Sequence, residues 1–208
     1  MIANPNQPTG TQLPMPILQE LAQRSAAVGA LMAVDEAYVQ FSGQTVLPWL
    51  EAHPHLVVLR TFSKAAGLAG LRIGFAAGHP EVIANLFRVR TAHDINSIAI
   101  LAAQILLEHP QLIDDNVAAV RAGAALLADR VRELGLEPLP TCTNFMVIRV
   151  TPHSEAAVLV ERLRRQGYLV KGPFRAPCLQ GCIRVTLGSP PVMERFAQAL
   201  RTALDAAP

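Results

Sequence analysis

The chain has 208 residues, of which 51% are apolar and 16% charged, and a formal net charge of +2. That length suffices for one well-buried domain, or for a domain plus a smaller one, without disulfides, and the apolar content excludes a disordered tail. No run approaches the roughly 18 to 20 uninterrupted apolar residues of a membrane span, and neither a basic leader nor an apolar signal region opens the chain, so a cytoplasmic protein is expected. The positive charge is small and dispersed, which argues against nucleic-acid binding; Arg162, Arg164 and Arg165 read as one solvated helix face. Cys142, Cys178 and Cys182 form no CxxC framework, which suits a reducing compartment and argues against structural zinc. The histidines show no HxxxH or HExxH spacing, and no metal is expected.

In chain order, ANPNQPTG at 3–10 is a turn by its prolines, asparagines and glycine, preceded only by Met1 and Ile2 as the last step of a strand. Pro14 and Pro16 open a helix in which Ile17, Leu18, Leu21 and Ala22 recur at helical spacing and which Gly29 stops. Three short apolar runs follow: ALMAV at 30–34, ending at Asp35; LVVLR at 56–60, ending before Thr61, Phe62, Ser63 and Lys64; and IGFAA after Arg72. Such runs predict strands buried on both faces of an α/β sheet. In an open parallel sheet the ligand crevice lies beyond the carboxyl ends of the strands, so the opening turn, Asp35 and Lys64 are expected to converge.

Between Gln111 and Leu134 the residues Ile113, Val117, Val120, Ala124, Leu127, Val131 and Leu134 form a heptad seam. A coiled coil is one reading, but nothing periodic continues past Gly135, and one long helix joining two subdomains is preferred. Beyond it the pattern predicts a strand at FMVIRV (145–150), a helix at 154–166 stopped by Gly167, strands near YLV (168–170) and CIRVTL (182–187), and a terminal helix opened by Pro190 and Pro191. These make a small α+β domain.

Singly, the polar candidates have ordinary readings: Lys64 as a surface charge, Asp35 as a helix cap, Arg72 as half of an ion pair, Arg184 as a strand arginine and Tyr38 as a packing residue. Together they spell NPNQPTG, DEAY, TFSKAAGLAGLRIGF and a late IRVTLG. In this order and spacing they resemble the fold-type I pyridoxal-phosphate aminotransferases of class I/II, most closely the histidinol-phosphate aminotransferase group, over essentially the whole chain.

The resemblance implies an α/β fold: the C-terminal part of a fold-type I transferase, with a partial large-domain sheet and flanking helices at 1–110, a connecting long helix at 111–134 and a small α+β domain at 135–208. It implies pyridoxal 5'-phosphate as cofactor, a small-molecule amino donor, a 2-oxo acid acceptor, and a homodimer in the full-length form. Lys64 is the expected Schiff-base lysine and, once displaced by substrate, the base that moves a proton between the substrate Cα and the cofactor. Asp35 would keep the ring nitrogen protonated, and Tyr38 would hydrogen-bond the phenolic oxygen. Ser63 and Arg72 resemble the phosphate ligands, arginine because its guanidinium grips two oxygens at once. Arg184 resembles the late arginine that binds the anionic end of the substrate.

Three departures accompany the match. Gln7 stands where the family usually has the asparagine that reaches the phenolic oxygen, with Asn6 as an alternative donor. Lys171 stands where the histidinol-phosphate enzymes typically carry an arginine for the substrate phosphate, and lysine cannot make the bidentate fork; RTAHDINSIA at 90–99 is also atypical. Finally, the family's N-terminal arm, first strands, phosphate loop and aromatic stacker have no counterpart, so the chain reads as a truncated fragment, a split-gene product or a misassigned start, expected to bind cofactor poorly and to aggregate. The competing readings are a threonine-phosphate decarboxylase using the same Lys64 and Asp35, and an inactive fragment or interaction module.

Overall fold

The computed structural model describes residues 1–91 and 94–206; Ala92 and His93, inside the atypical segment at 90–99, lie outside the described residues. They form two compact units, Met1–Gln7 with Thr11–Asn116, and Pro8–Gly10 with the chain from Val117 onward.

In the first unit β1 (Ile2–Ala3) leads through the turn to α1 (Met15–Ala27), which starts behind Pro14 and carries Pro16 in its first turn, where a missing N–H costs nothing. Gly29, at φ +65°, ends it in the left-handed conformation that glycine adopts freely. Next come β2 (Met32–Asp35), the short α2 (Val39–Ser42), β3 (Leu56–Thr61), β4 (Gly74–Gly78), α3 (Pro80–Val89) and α4 (Ser97–Glu108), and α5 (Gln111–Glu133) begins here. The sheet order is β1-β2-β3-β4, with β1, β2 and β3 parallel.

Alternation along the strands decides what packs where. Met32 and Val34 of β2 and Leu56 and Val58 of β3 share one face, and α1 lays Leu18 and Ala22, one turn apart, in the same buried cluster. The residues between them point to the other face, and of these Asp35, Leu59 and Thr61 line the candidate site.

The third apolar run departs from expectation. It forms β4, antiparallel to β3 and at the edge of the sheet, with Phe75 45% exposed. An apolar run carries no information about strand direction. A parallel return needs a crossover of a dozen or more residues, usually a helix, whereas the segment after β3 is a tight loop and one turn of 3-10 helix at Ala69–Leu71.

In the second unit the buried stripe of α5 runs through Val117, Val120, Gly123, Leu127 and Val131. β5 (Glu137–Pro138), β6 (Phe145–Arg149) and β7 (Cys182–Thr186) make an antiparallel sheet in that order. It is accompanied by α6 (Ala156–Arg165) and α7 (Pro190–Asp205), which bury Leu159 and Leu163, and Met193, Phe196 and Leu200. The strand expected near 168–170 does not form. Tyr168 instead sets its ring edge-on to Phe196, 5.7 Å between centroids, and only Lys171 bridges to Arg184. Arg162 also leaves the solvated face assigned to it, donating to the Ala203 carbonyl at 3.0 Å. Among the described residues no helix is long and apolar enough to cross a membrane.

Candidate active site

The first unit holds a cavity of about 370 Å³ at the carboxyl ends of β1, β2 and β3. Its lining includes Gln7, Asp35, Tyr38, Ser63, Lys64 and Arg72, together with Arg60 and Thr61. Six side chains that are spread over 66 positions of sequence are brought together because three parallel strands end side by side.

Asp35 is the last residue of β2, paired with Ala3 on one side and Leu59 on the other. Its Oδ1 accepts the Ala37 N–H at 3.0 Å, which turns the chain sharply out of the strand. Tyr38, buried at 4% exposure, donates its hydroxyl to Gln7 Oε1 at 2.5 Å. Gln7 thus meets Tyr38 directly with its longer stem, while Asn6 is not among the lining residues and gives its N–H to the Thr11 carbonyl.

Lys64 follows β3 by three residues, and its Nζ lies 5.6 Å from the centre of the Tyr38 ring, a cation–π distance that keeps the amine over the cavity wall. The loop carrying it is tied at several points. Thr61 Oγ1 accepts the Ser63 N–H at 3.0 Å, Leu68 N–H returns to the Phe62 carbonyl, and Asn116 Nδ2 donates to the Ala65 carbonyl at 2.8 Å. Arg72 sits at φ 54°, a left-handed conformation unusual for a residue with a side chain. Its exposed guanidinium donates to the Ala69 carbonyl at 3.2 Å.

Lys171 and Arg184 belong to the second unit. They exchange both backbone hydrogen bonds, at 3.0 and 2.7 Å, so their side chains share a face and line a cavity of about 270 Å³ with Leu169, Val170 and Thr186. The Arg184 guanidinium lies 4.8 Å from the centre of the Phe145 ring. Like charges directly opposite one another repel, so this pair favours an anion.

One feature escaped the sequence reading. Glu36, beside Asp35, is 1% exposed and carries a carboxylate, paired at 2.9 Å with Arg60. The only signal was a period-two one: Glu36 and Arg60 each extend the buried face of their strand by one step.

The model of the family of class I and II aminotransferases matches residues 1–200. The chain belongs to that family. Histidinol-phosphate aminotransferase of Pseudomonas putida is 33% identical over 200 residues, covering 95% of this chain and 56% of the relative. The crystal structure of histidinol-phosphate aminotransferase from Sinorhizobium meliloti in complex with pyridoxal-5'-phosphate superposes with a TM-score of 0.86 at 28% identity, covering 97% of this chain and 56% of that one. L-threonine-O-3-phosphate decarboxylase from Porphyromonas gingivalis follows at 0.81 and 26%, covering 98% and 63%. The fold is therefore that of the pyridoxal-phosphate aminotransferases, and the chain spans little more than half the length of the curated relatives it matches.

Proposed function

We propose that the chain carries the catalytic region of a histidinol-phosphate aminotransferase-like enzyme, which moves an amino group from a small, phosphorylated or carboxylated amine to a 2-oxo acid. The observation that carries the reading is the single cavity lined by Lys64, Asp35, Tyr38, Ser63, Arg72 and Gln7.

The donor set fits pyridoxal 5'-phosphate: an amine for its aldehyde carbon, a carboxylate for its ring nitrogen, a phenol and an amide for its phenolic oxygen, and a hydroxyl and a guanidinium for its phosphate. When bound, that cofactor supplies an electron sink for the bonds of the substrate Cα. Lys64 holds the cofactor and later takes and returns the Cα proton. Asp35 supplies the fixed negative charge that stabilises a protonated ring nitrogen. Tyr38 and Gln7 orient the ring through their mutual hydrogen bond. Lys171 and Arg184 bind the anionic end of the substrate, Lys171 as a point charge and Arg184 as a fork.

The partial large cofactor domain at 1–110, the connecting helix at 111–134 and the small domain at 135–208 are the proposed working parts, in a cytoplasmic homodimer of the complete enzyme. Reducing the chain with borohydride in the presence of pyridoxal phosphate and mapping the peptides tests the site. Label concentrated on Lys64 at saturating cofactor, and lost in Lys64→Ala, is expected even where the isolated chain binds cofactor weakly; label scattered over other lysines overturns it. The similarity to a threonine-phosphate decarboxylase favours one second reading, and carbon dioxide release without amino transfer to a 2-oxo acid is the result that would establish it.

A further inference from the structure

We propose that Glu36 and Arg60 are a positioning pair for this site, an ion pair on a buried carboxylate that clamps the carboxyl ends of β2 and β3 together and thereby holds Asp35 in place relative to Lys64. The proposal rests on the functional reading above and adds two residues to it.

Both oxygens of the Glu36 carboxylate accept hydrogen bonds. Oε2 accepts from Arg60 Nη2 at 2.9 Å, Arg60 Nε at 3.1 Å and Thr45 Oγ1 at 2.8 Å, and Oε1 accepts the Val46 N–H at 2.6 Å. Arg60 Nη2 closes the ring by donating to Thr45 Oγ1 at 2.8 Å. The Glu36 N–H bonds the Leu59 carbonyl at 2.8 Å, which carries the β2–β3 ladder one step beyond the Asp35–Leu59 pair. The clamp therefore sits at the last rung, with the Glu36 carboxylate on the face of Val34 and Val58 and Arg60 also reaching the cavity edge.

The rest of that face is apolar, with Met32, Val34, Leu56 and Val58 all buried. An apolar pair would fill the last place at least as stably, since desolvating two charges commonly costs what their attraction returns. What the ion pair adds is direction: two N–H groups of Arg60 converge on Oε2 while the Val46 N–H holds Oε1, so the carboxylate is fixed from both sides and the two strand ends are held in one register. Asp35 depends on that end. Its carbonyl accepts the Asn4 N–H at 2.9 Å and its Oδ1 the Ala37 N–H. Lys64 follows Arg60 by four residues through a loop already tied down.

The test uses the 208-residue chain and two variants, Glu36→Gln and the apolar double Glu36→Leu/Arg60→Met. Amide hydrogen exchange is read without cofactor, at Asn4 and Ala37 against Val34 and Val58. Trapping of pyridoxal phosphate at Lys64 is read by borohydride reduction over a concentration series, and Tm by calorimetry. In Glu36→Gln, exchange at Asn4 and Ala37 is expected to rise about tenfold or more while Val34 and Val58 stay protected. The double variant recovers a Tm near that of the wild type but keeps the fast exchange at Asn4 and Ala37, and its apparent affinity for pyridoxal phosphate at Lys64 falls about tenfold or more.

Wild-type exchange and trapping in the double variant would reduce the pair to ordinary core filling and overturn the proposal. So would their persistence in folded Glu36→Gln. If that single variant fails to fold, the double variant decides alone. Absence of Lys64 label in the wild type defeats the cofactor reading, not the clamp, which the exchange arm then tests by itself.

Discussion

Lys64 and Asp35 are each the ordinary product of a strand end, and the strands ending together put both on one cavity, where the proposed function uses them. Asp35→Asn keeps an oxygen for the Ala37 N–H while removing the charge, so the fold is expected to survive unchanged and turnover of the loaded enzyme to fall by about 100-fold or more, checked by circular dichroism beside a transamination assay. The cysteines make a second contrast at this scale. Cys178 is exposed, whereas Cys182 has no exposed surface and burial pushes its thiol up from the ordinary value. Since the thiolate is the reactive form, a disulfide reagent near neutral pH should modify Cys178 within minutes and spare Cys182 until denaturant is added. Rapid labelling of Cys182 in the native chain would contradict this. Motif reading located Asp35 and Tyr38 within DEAY but passed over Glu36 between them, because a glutamate at a strand end reads as solvated until its partner on another strand is known.

At the scale of elements, α5 shows how a repeat predicts a helix better than it predicts a contact. The seam from Ile113 to Leu134 assigns a buried place to Ala124, yet the residue fully buried at that level is Gly123. A side chain there would overlap the Gly188 carbonyl, which passes close against the helix. Gly123→Ala gains roughly 1 kcal/mol of helix propensity but must push that backbone aside, at about 1 to 3 kcal/mol, so a net loss of stability is expected in urea denaturation. A stabilised variant would mean that the 188 loop yields freely. α6 offers the pH counterpart. Hydrogen bonds from Arg164 and then Arg165 hold the Glu161 carboxyl down, from 4.5 to about 2. A depressed native value contributes stability above the unfolded pKa that is lost as pH falls through the native one. The Tm gap between wild type and Glu161→Gln, small at neutral pH because the pair is exposed, should shrink below about pH 4.5 and vanish toward pH 2.

At the scale of the molecule, the first unit leaves apolar surface and strand edges uncovered. β1 and β4 are the outer strands of their sheet, and Phe75, Phe87, Val89, Ile98, Leu101 and Leu107 are exposed at 45%, 58%, 80%, 71%, 58% and 65%. Large apolar side chains at such density, beside an unpaired strand edge, promote association. Light scattering of the purified 208-residue chain should therefore report a mass that rises with concentration, and Phe87→Glu/Val89→Lys should lower it. A monodisperse wild-type chain up to millimolar concentration would overturn this expectation.

The sequence by itself determined the family, the element types of the long periodic segments, and which side chains to look for around one cavity, because these are written in local order: a motif, a period, a turn residue. It placed α1, β2, β3, α5 and α7 within a few residues. Tertiary structure alone decided that β4 runs antiparallel at an edge, that 168–170 is not a strand, that Gln7 meets Tyr38, and that Glu36 is locked to Arg60. Each of these depends on a partner distant in sequence. A strand's direction and a side chain's burial are properties of pairs, and a pair exists only once the chain has folded.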